Sequence, residues 1–143
     1  MSTLNAALGA SASALTAERA RIEAAVSNLA NAESTRGPDG QPYRRRDVVL
    51  AADPQNSFEH ALGQASAVGV KVAAIVEDQT PPKRRYDPSH PDADSEGFVA
   101  LPNIDTPEEM VNMLSASRAY QANLTAIGLI REVVQKALEL GRP

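Results

Sequence analysis

The chain has 143 residues, a net charge of -4 and no cysteine. This length allows one domain with a real core and excludes two full-sized domains. The acidic balance argues against a nucleic-acid-binding surface, and without cysteine there are no disulfides and no thiolate metal ligands. Aromatic residues make up only 3% of the chain and much of the apolar content is alanine, so we predict a thin core whose burial partners complete.

The N-terminal segment is predicted to form an amphipathic helix over about residues 3–31. Apolar residues recur there every seven positions, with others three or four positions away, which is typical of a coiled-coil seam. No Lys or Arg precedes Arg19 and polar residues interrupt the apolar stretch, so we do not expect a cleaved signal peptide. The residues of this row are Leu4, Leu8, Leu15, Ile22, Val26 and Leu29.

Residues 36–105 are predicted to form a small β-rich insert with Pro-rich loops, because they hold most of the prolines and glycines. Within the second of three predicted strands, Val70, Val72 and Val76 alternate onto one face. A three-stranded unit with one apolar face is near the lower limit for independent stability. The predicted strands are Asp47–Ala51, Val70–Val76 and Phe98–Leu101.

Two basic clusters lie in this insert, Arg44–Arg46 and Lys83–Arg85. Neither cluster has interleaved aromatic residues on which bases could stack. We therefore interpret both as solvated charge in loops or at strand edges.

The segment Asp87–Gly97 carries acidic residues at the spacing of a calcium-binding loop, at Asp92, Asp94 and Glu96. The position that should hold a bidentate glutamate is Asn103, and the surrounding prolines leave no room for the flanking helices. We interpret the segment as an acidic surface loop held by prolines, with a cation site as the alternative.

The sequence offers little for catalysis. Its two histidines, His60 and His90, belong to unrelated loops, so a metal site with two histidines would have to bring those loops together. The Gly-x-Ser-x-Gly, Gly-x-Gly-x-x-Gly and Walker patterns are also missing from the sequence. We predict no catalytic, cofactor-binding or metal-binding residues.

The C-terminal segment is predicted to be a helix of about 34 residues. Thr106 can cap it, Pro107 suits its first position, and Glu109 completes a Thr-x-x-Glu capping box. Gly141 and Pro143 end it. Its apolar stripe consists of Met110, Met113, Leu114, Tyr120, Leu124, Ile127, Val134 and Leu138.

These elements predict an α+β chain with three parts, residues 1–35, 36–105 and 106–143. The two long terminal helices pair as a coiled coil or helical bundle, and the insert lies between them. Both helices carry more apolar surface than so small an insert can cover, so we predict that they also pack on other subunits. The assembly interface comprises the two apolar rows together with Asn28 and Asn31, whose polar side chains can fix register. For Asn31, capping the helix end is the alternative.

The segment Ser27–Thr35, Ser-Asn-Leu-Ala-Asn-Ala-Glu-Ser-Thr, resembles the N-terminal signature of the bacterial flagellar rod and hook proteins. One departure is Glu33, where the signature commonly has asparagine or a small polar residue. Further segments resemble the proximal rod members of that family, so the resemblance covers nearly the whole chain. These segments are Gly37–Val49, Tyr86–Asp94, Gly97–Val99, Pro102–Asp105, Glu109–Leu114 and Ser117–Asn123.

The resemblance implies a structural, non-enzymatic component of the basal-body rod that transmits torque. It also implies export by the flagellar type III apparatus without a cleaved signal, assembly in the periplasm with itself and with FlgB, FlgF, FlgG and FliE, and no cofactor, nucleic acid or membrane insertion. One alternative is a generic coiled-coil interaction module, which would form a closed oligomer by itself. The other is a small metal-dependent enzyme that would need His90 or Asp92.

Overall fold

The computed structural model describes residues 2–37, 39–53 and 68–140. Two long helices flank two β-hairpins in chain order, as the α+β prediction requires. His60, Gly141 and Pro143 lie outside the described residues, and within them no helix is both long and apolar enough to cross a membrane. The elements are α1 Ser2–Ala30, β1 Arg46–Asp53, β2 Gly69–Glu77, β3 Lys83–Tyr86, β4 Phe98–Leu101 and α2 Thr106–Leu140.

The two helices pack against each other and run antiparallel. The end of α1 meets the start of α2, because Asn28 donates a hydrogen bond to Glu109 in the first turn of α2. The buried apolar positions of the helices are all alanines, whose small side chains let two backbones approach closely. The leucines of the predicted seam are only half-buried. The buried alanines are Ala17, Ala25 and Ala116.

The strands β1 and β2 form an antiparallel hairpin with a bulge. Two consecutive residues of β1 pair with Ala74 and Val72, so Ala73 between them has no partner. Because a bulge shifts the alternation of side chains, Val76 lies on the face opposite Val70 and Val72. The prediction that these three valines share one face is therefore wrong at Val76.

The strands β3 and β4 form a second, separate antiparallel pair. The predicted three-stranded unit is wrong, because Phe98–Leu101 pairs with Lys83–Tyr86 and not with either strand of the first hairpin. The strand β3 was not predicted, because its basic residues lack an apolar alternation. Val99 and Leu101 point inward and are buried, whereas Tyr86 and Phe98 share the outer face with their rings 5.3 Å apart.

The helix α2 begins at Thr106, but the predicted capping box is wrong. Asp105 caps the helix instead, since its Oδ1 accepts a hydrogen bond from the Glu108 N–H at 3.2 Å. Glu109 is 2% exposed and turns away from the cap toward α1. Glu109, which the sequence pattern placed in the helix cap, therefore makes a tertiary contact with α1 instead.

Candidate functional site

The residues predicted to form the assembly interface differ widely in exposure within the single chain. Five apolar side chains are exposed: Val26, Met110, Leu114, Leu124 and Leu138. Ten residues are half-buried: Leu4, Leu8, Leu15, Ile22, Leu29, Asn31, Met113, Tyr120, Ile127 and Val134. Only Asn28 is buried, at 1% exposure.

Four further apolar residues of α2 are exposed, although they do not belong to the predicted interface. Val111, Leu129, Val133 and Leu140 are between 56% and 88% exposed. Leu129 follows Val111 by five helical turns and Leu140 follows Leu129 by three, so these side chains lie in one row along the helix. We call them the outer row of α2. A helix that is apolar both toward its partner and on its outer side is typical of a position inside a larger bundle.

A buried polar cluster lies where α1, β1 and α2 meet. The side-chain amide of Asn28 bonds to both backbone groups of Arg46 at the start of β1. Its Oδ1 accepts from the Arg46 N–H at 2.9 Å, and its Nδ2 donates to the Arg46 carbonyl at 2.8 Å. The amide thus occupies the place that a neighbouring strand would take at this edge of the sheet.

The remaining hydrogen bonds of Asn28 reach two other segments. Its Oδ1 also accepts from the Tyr43 hydroxyl at 3.1 Å, and its Nδ2 donates to Glu109 Oε2 at 3.0 Å. A primary amide has two donors and two principal acceptor sites, and here all four are used. Ser27 Oγ lies 3.0 Å from the Tyr43 hydroxyl and completes the cluster.

Arg45 neutralises the buried carboxylate of this cluster. Its Nε donates to Glu109 Oε1 at 2.6 Å, and its guanidinium also lies within 4 Å of Asp47 and Glu108. Burial alone would lower the pKa of Arg45, but the hydrogen bond with Glu109 and the three nearby carboxylates raise it above its ordinary value. The carboxylate therefore stays paired with a charged guanidinium, as a buried charge requires.

These contacts revise two sequence interpretations. Asn28 makes all its hydrogen bonds within the chain, so it is not free to contact a second subunit. Arg45 is not a solvated strand-edge charge, because its side chain is 22% exposed and paired with Glu109.

Asn31 caps the end of α1 through its Nδ2, which donates to the Ser27 carbonyl at 2.8 Å. Two sequence features mark the cluster, the Asn-x-x-Asn of the signature and the acidic first turn of α2. Neither feature by itself indicates that Asn28 contacts Glu109.

The acidic loop Asp87–Gly97 uses its carboxylates to bind neighbouring protein groups. Asp92 accepts from the Thr35 hydroxyl at 2.8 Å, and Arg84 donates to Asp94 at 2.8 Å. The hydrogen bond from the Phe98 N–H is the main cause that lowers the pKa of Asp94. In the described part of the chain, no three histidine or carboxylate side chains are grouped as metal ligands would be. The geometry is that of a surface loop held by its own contacts.

Comparisons with known proteins agree with this picture of a chain built for packing. Residues 95–140, which include β4 and α2, match the family model described as flagellar basal body rod FlgEFG protein, C-terminal. The chain is 48% identical to the flagellar basal-body rod protein FlgC of Salmonella typhimurium, an alignment that covers 91% of this chain and 92% of that protein. The chain belongs to the FlgC family of flagellar basal-body rod proteins.

More distant members of the FlgC family match over nearly the full length as well. The FlgC protein of Bacillus subtilis is 43% identical, with 94% of this chain and 96% of that protein covered. The FlgC protein of Borreliella burgdorferi is 39% identical, with 96% and 97% covered. FlgC proteins are structural components of the flagellar basal-body rod, so this chain is a structural rod protein and not an enzyme.

Proposed function

We propose that this FlgC-family subunit polymerises through its terminal helices and forms part of the drive shaft that transmits torque from motor to hook. In this proposal residues 1–35 and 106–143 build the rod, and residues 36–105 form an insert beside them. The observation that carries the proposal is the apolar surface that α2 leaves uncovered, from Met110 and Leu114 to the outer row. Exposed apolar side chains that lie side by side along a helix are typical of a contact with another protein.

The neighbours that we propose are other copies of the chain and the rod components FlgB, FlgF, FlgG and FliE. The exposed members of the predicted interface, such as Leu124 and Leu138, are the side chains that such neighbours would cover. Many packed helices in concentric layers would resist twisting, because close-packed interiors are stiff. That stiffness is what the transmission of torque requires.

We further propose export through the flagellar type III apparatus without a cleaved signal, followed by assembly in the periplasm. A chain without cysteine has no disulfide that would have to be reduced before passage through a narrow channel. Mass spectrometry of purified basal bodies tests this, because it should detect the tryptic peptide that ends at Arg19 together with its residues from Ser2. A rod protein that lacks this peptide would contradict uncleaved export.

The assembly proposal is tested by placing a charge on the uncovered surface. Leu124 is 46% exposed, so Leu124→Glu should leave the subunit folded and abolish both swimming and incorporation into basal bodies. Gln135→Glu adds the same side chain at an exposed polar position of α2 and should swim normally. Normal swimming by the Leu124→Glu strain would refute the role of this surface. A generic coiled-coil module would instead show a closed oligomer of the pure chain by light scattering.

A further inference from the structure

The helix α1 holds both strands of the first hairpin by side chains that take the place of backbone partners. Ser13 Oγ accepts a hydrogen bond from the Val70 N–H of β2 at 3.0 Å. The Asn28 amide bonds to both backbone groups of Arg46 in β1. The two side chains are 15 residues apart, about 22 Å along a helix, which is close to the length of an eight-residue strand. The hairpin is therefore attached to α1 at two separated points.

The attachment at Asn28 differs from that at Ser13 because it also involves α2. One N–H of the Asn28 amide bonds to β1, and the other bonds to Glu109 at 3.0 Å. The second oxygen of Glu109 accepts from Arg45, the residue directly before β1. If α2 shifts along α1 or the hairpin tilts, at least one of these hydrogen bonds breaks. A buried polar group that loses its partner carries a large penalty, so the cluster tolerates only one arrangement of the three elements.

We propose that Asn28, Glu109 and Arg45 are positioning residues for rod assembly. They fix the orientation of the β1–β2 hairpin on the paired helices, so each subunit presents its helices and its hairpin to its neighbours in one geometry. The inference rests on the structural rod role of the family. It does not depend on which apolar residues of α2 meet a neighbour.

An exchange of donor and acceptor tests the contact between α1 and α2. Asn28→Asp removes both amide N–H donors and places a second carboxylate beside Glu109, so swimming should be lost. Adding Glu109→Gln restores a donor toward position 28 and keeps an oxygen for Arg45. The double variant should therefore recover part of the swimming, although the bond to the Arg46 carbonyl stays missing. Asn5→Asp, the same change at an exposed position of α1, is the control and should swim normally.

A distance measurement separates positioning from stability alone. The chain has no cysteine, so Ala74→Cys on β2 and Ser117→Cys on α2, both at exposed positions, provide two unique sites for spin labels. The labelled chain with Asn28 intact should show one narrow label-to-label distance distribution. With Asn28→Ala the distribution should broaden while the circular dichroism signal of the helices is retained.

Two results would overturn the inference. One is a distance distribution in Asn28→Ala that stays as narrow as in the unmodified chain, with only a lower unfolding temperature. The other is a double variant, Asn28→Asp with Glu109→Gln, that swims no better than Asn28→Asp alone. This second comparison tests the inference even if Asn28→Ala does not fold. Leu124→Glu should block assembly and leave the distance distribution narrow, so failure of the proposed assembly surface is distinguishable from failure of the positioning role.

Discussion

The turn between β3 and β4 offers a stability prediction that can be worked from its geometry. Gly97 has a φ of +82°, a conformation that costs other residues about 1–2 kcal/mol. A Cβ at this position would lie 3.0 Å from Tyr86 Cε2 and 3.2 Å from Pro88 Cβ. Relief of that contact displaces the Tyr86 ring from Phe98, an aromatic pair worth about 0.5–1.5 kcal/mol. Gly97→Ala should therefore destabilise this hairpin by about 1.5–3.5 kcal/mol.

Amide hydrogen exchange at Asp87 measures this loss, because its N–H donates to the Gly97 carbonyl at 2.9 Å. A loss of about 1.5–3.5 kcal/mol corresponds to roughly 10- to 400-fold faster exchange. The matched control is Gly40→Ala, since Gly40 has a φ of +78° but a Cβ there would meet nothing within 4 Å. It should leave exchange at Asp87 unchanged. Exchange at Asp87 that changes less than about threefold in Gly97→Ala would refute the reasoning.

Three further outcomes follow from the described contacts. Gly128→Ala, in open space within α2, should raise the unfolding free energy by about 1 kcal/mol in a urea titration. Ala116→Leu, at a position 0% exposed, should cost about 1–3 kcal/mol in the same titration, whereas exposed Ala122→Leu should change it by less than about 0.5 kcal/mol. The hydrogen bond from the Phe98 N–H is the main cause that lowers the pKa of Asp94. The Asp94 carboxylate therefore stabilises the folded chain at pH values above the ordinary aspartate pKa, and this stabilisation is lost as the pH falls through the lowered pKa. The protection factor of the Phe98 amide, which is its intrinsic exchange rate divided by its observed rate, should therefore fall in acid, and Asp94→Asn should reduce this pH dependence.

The sequence alone determined the two terminal helices and their type. Their apolar rows repeat over four or more turns, and a repeat of that length indicates a helix even where single residues depart from the pattern. The strands β1, β2 and β4 were also predicted, because β-branched residues bounded by prolines and glycines mark them. The family resemblance rested on short segments such as Ser27–Thr35, and the comparisons confirm it.

Local pattern failed where a residue's partner is distant in sequence. Glu109 fits a capping box, yet it is buried against Asn28, 81 residues away. Nothing near Arg45 in the sequence distinguishes it from its two basic neighbours, although it alone pairs with Glu109. The strand β3 was not predicted, because its composition is not typical of a strand. It forms a strand through its pairing with β4.

Periodicity thus identified which faces of the helices are apolar, because that property is local to each helix. Only the tertiary structure decided how the faces are used: alanines allow the helices to approach closely, the leucine rows stay half-buried or exposed, and Asn28 joins a hairpin to both helices. The physical reason is that hydrogen bonds among Asn28, Arg46 and Glu109 depend on chain segments that meet only after folding.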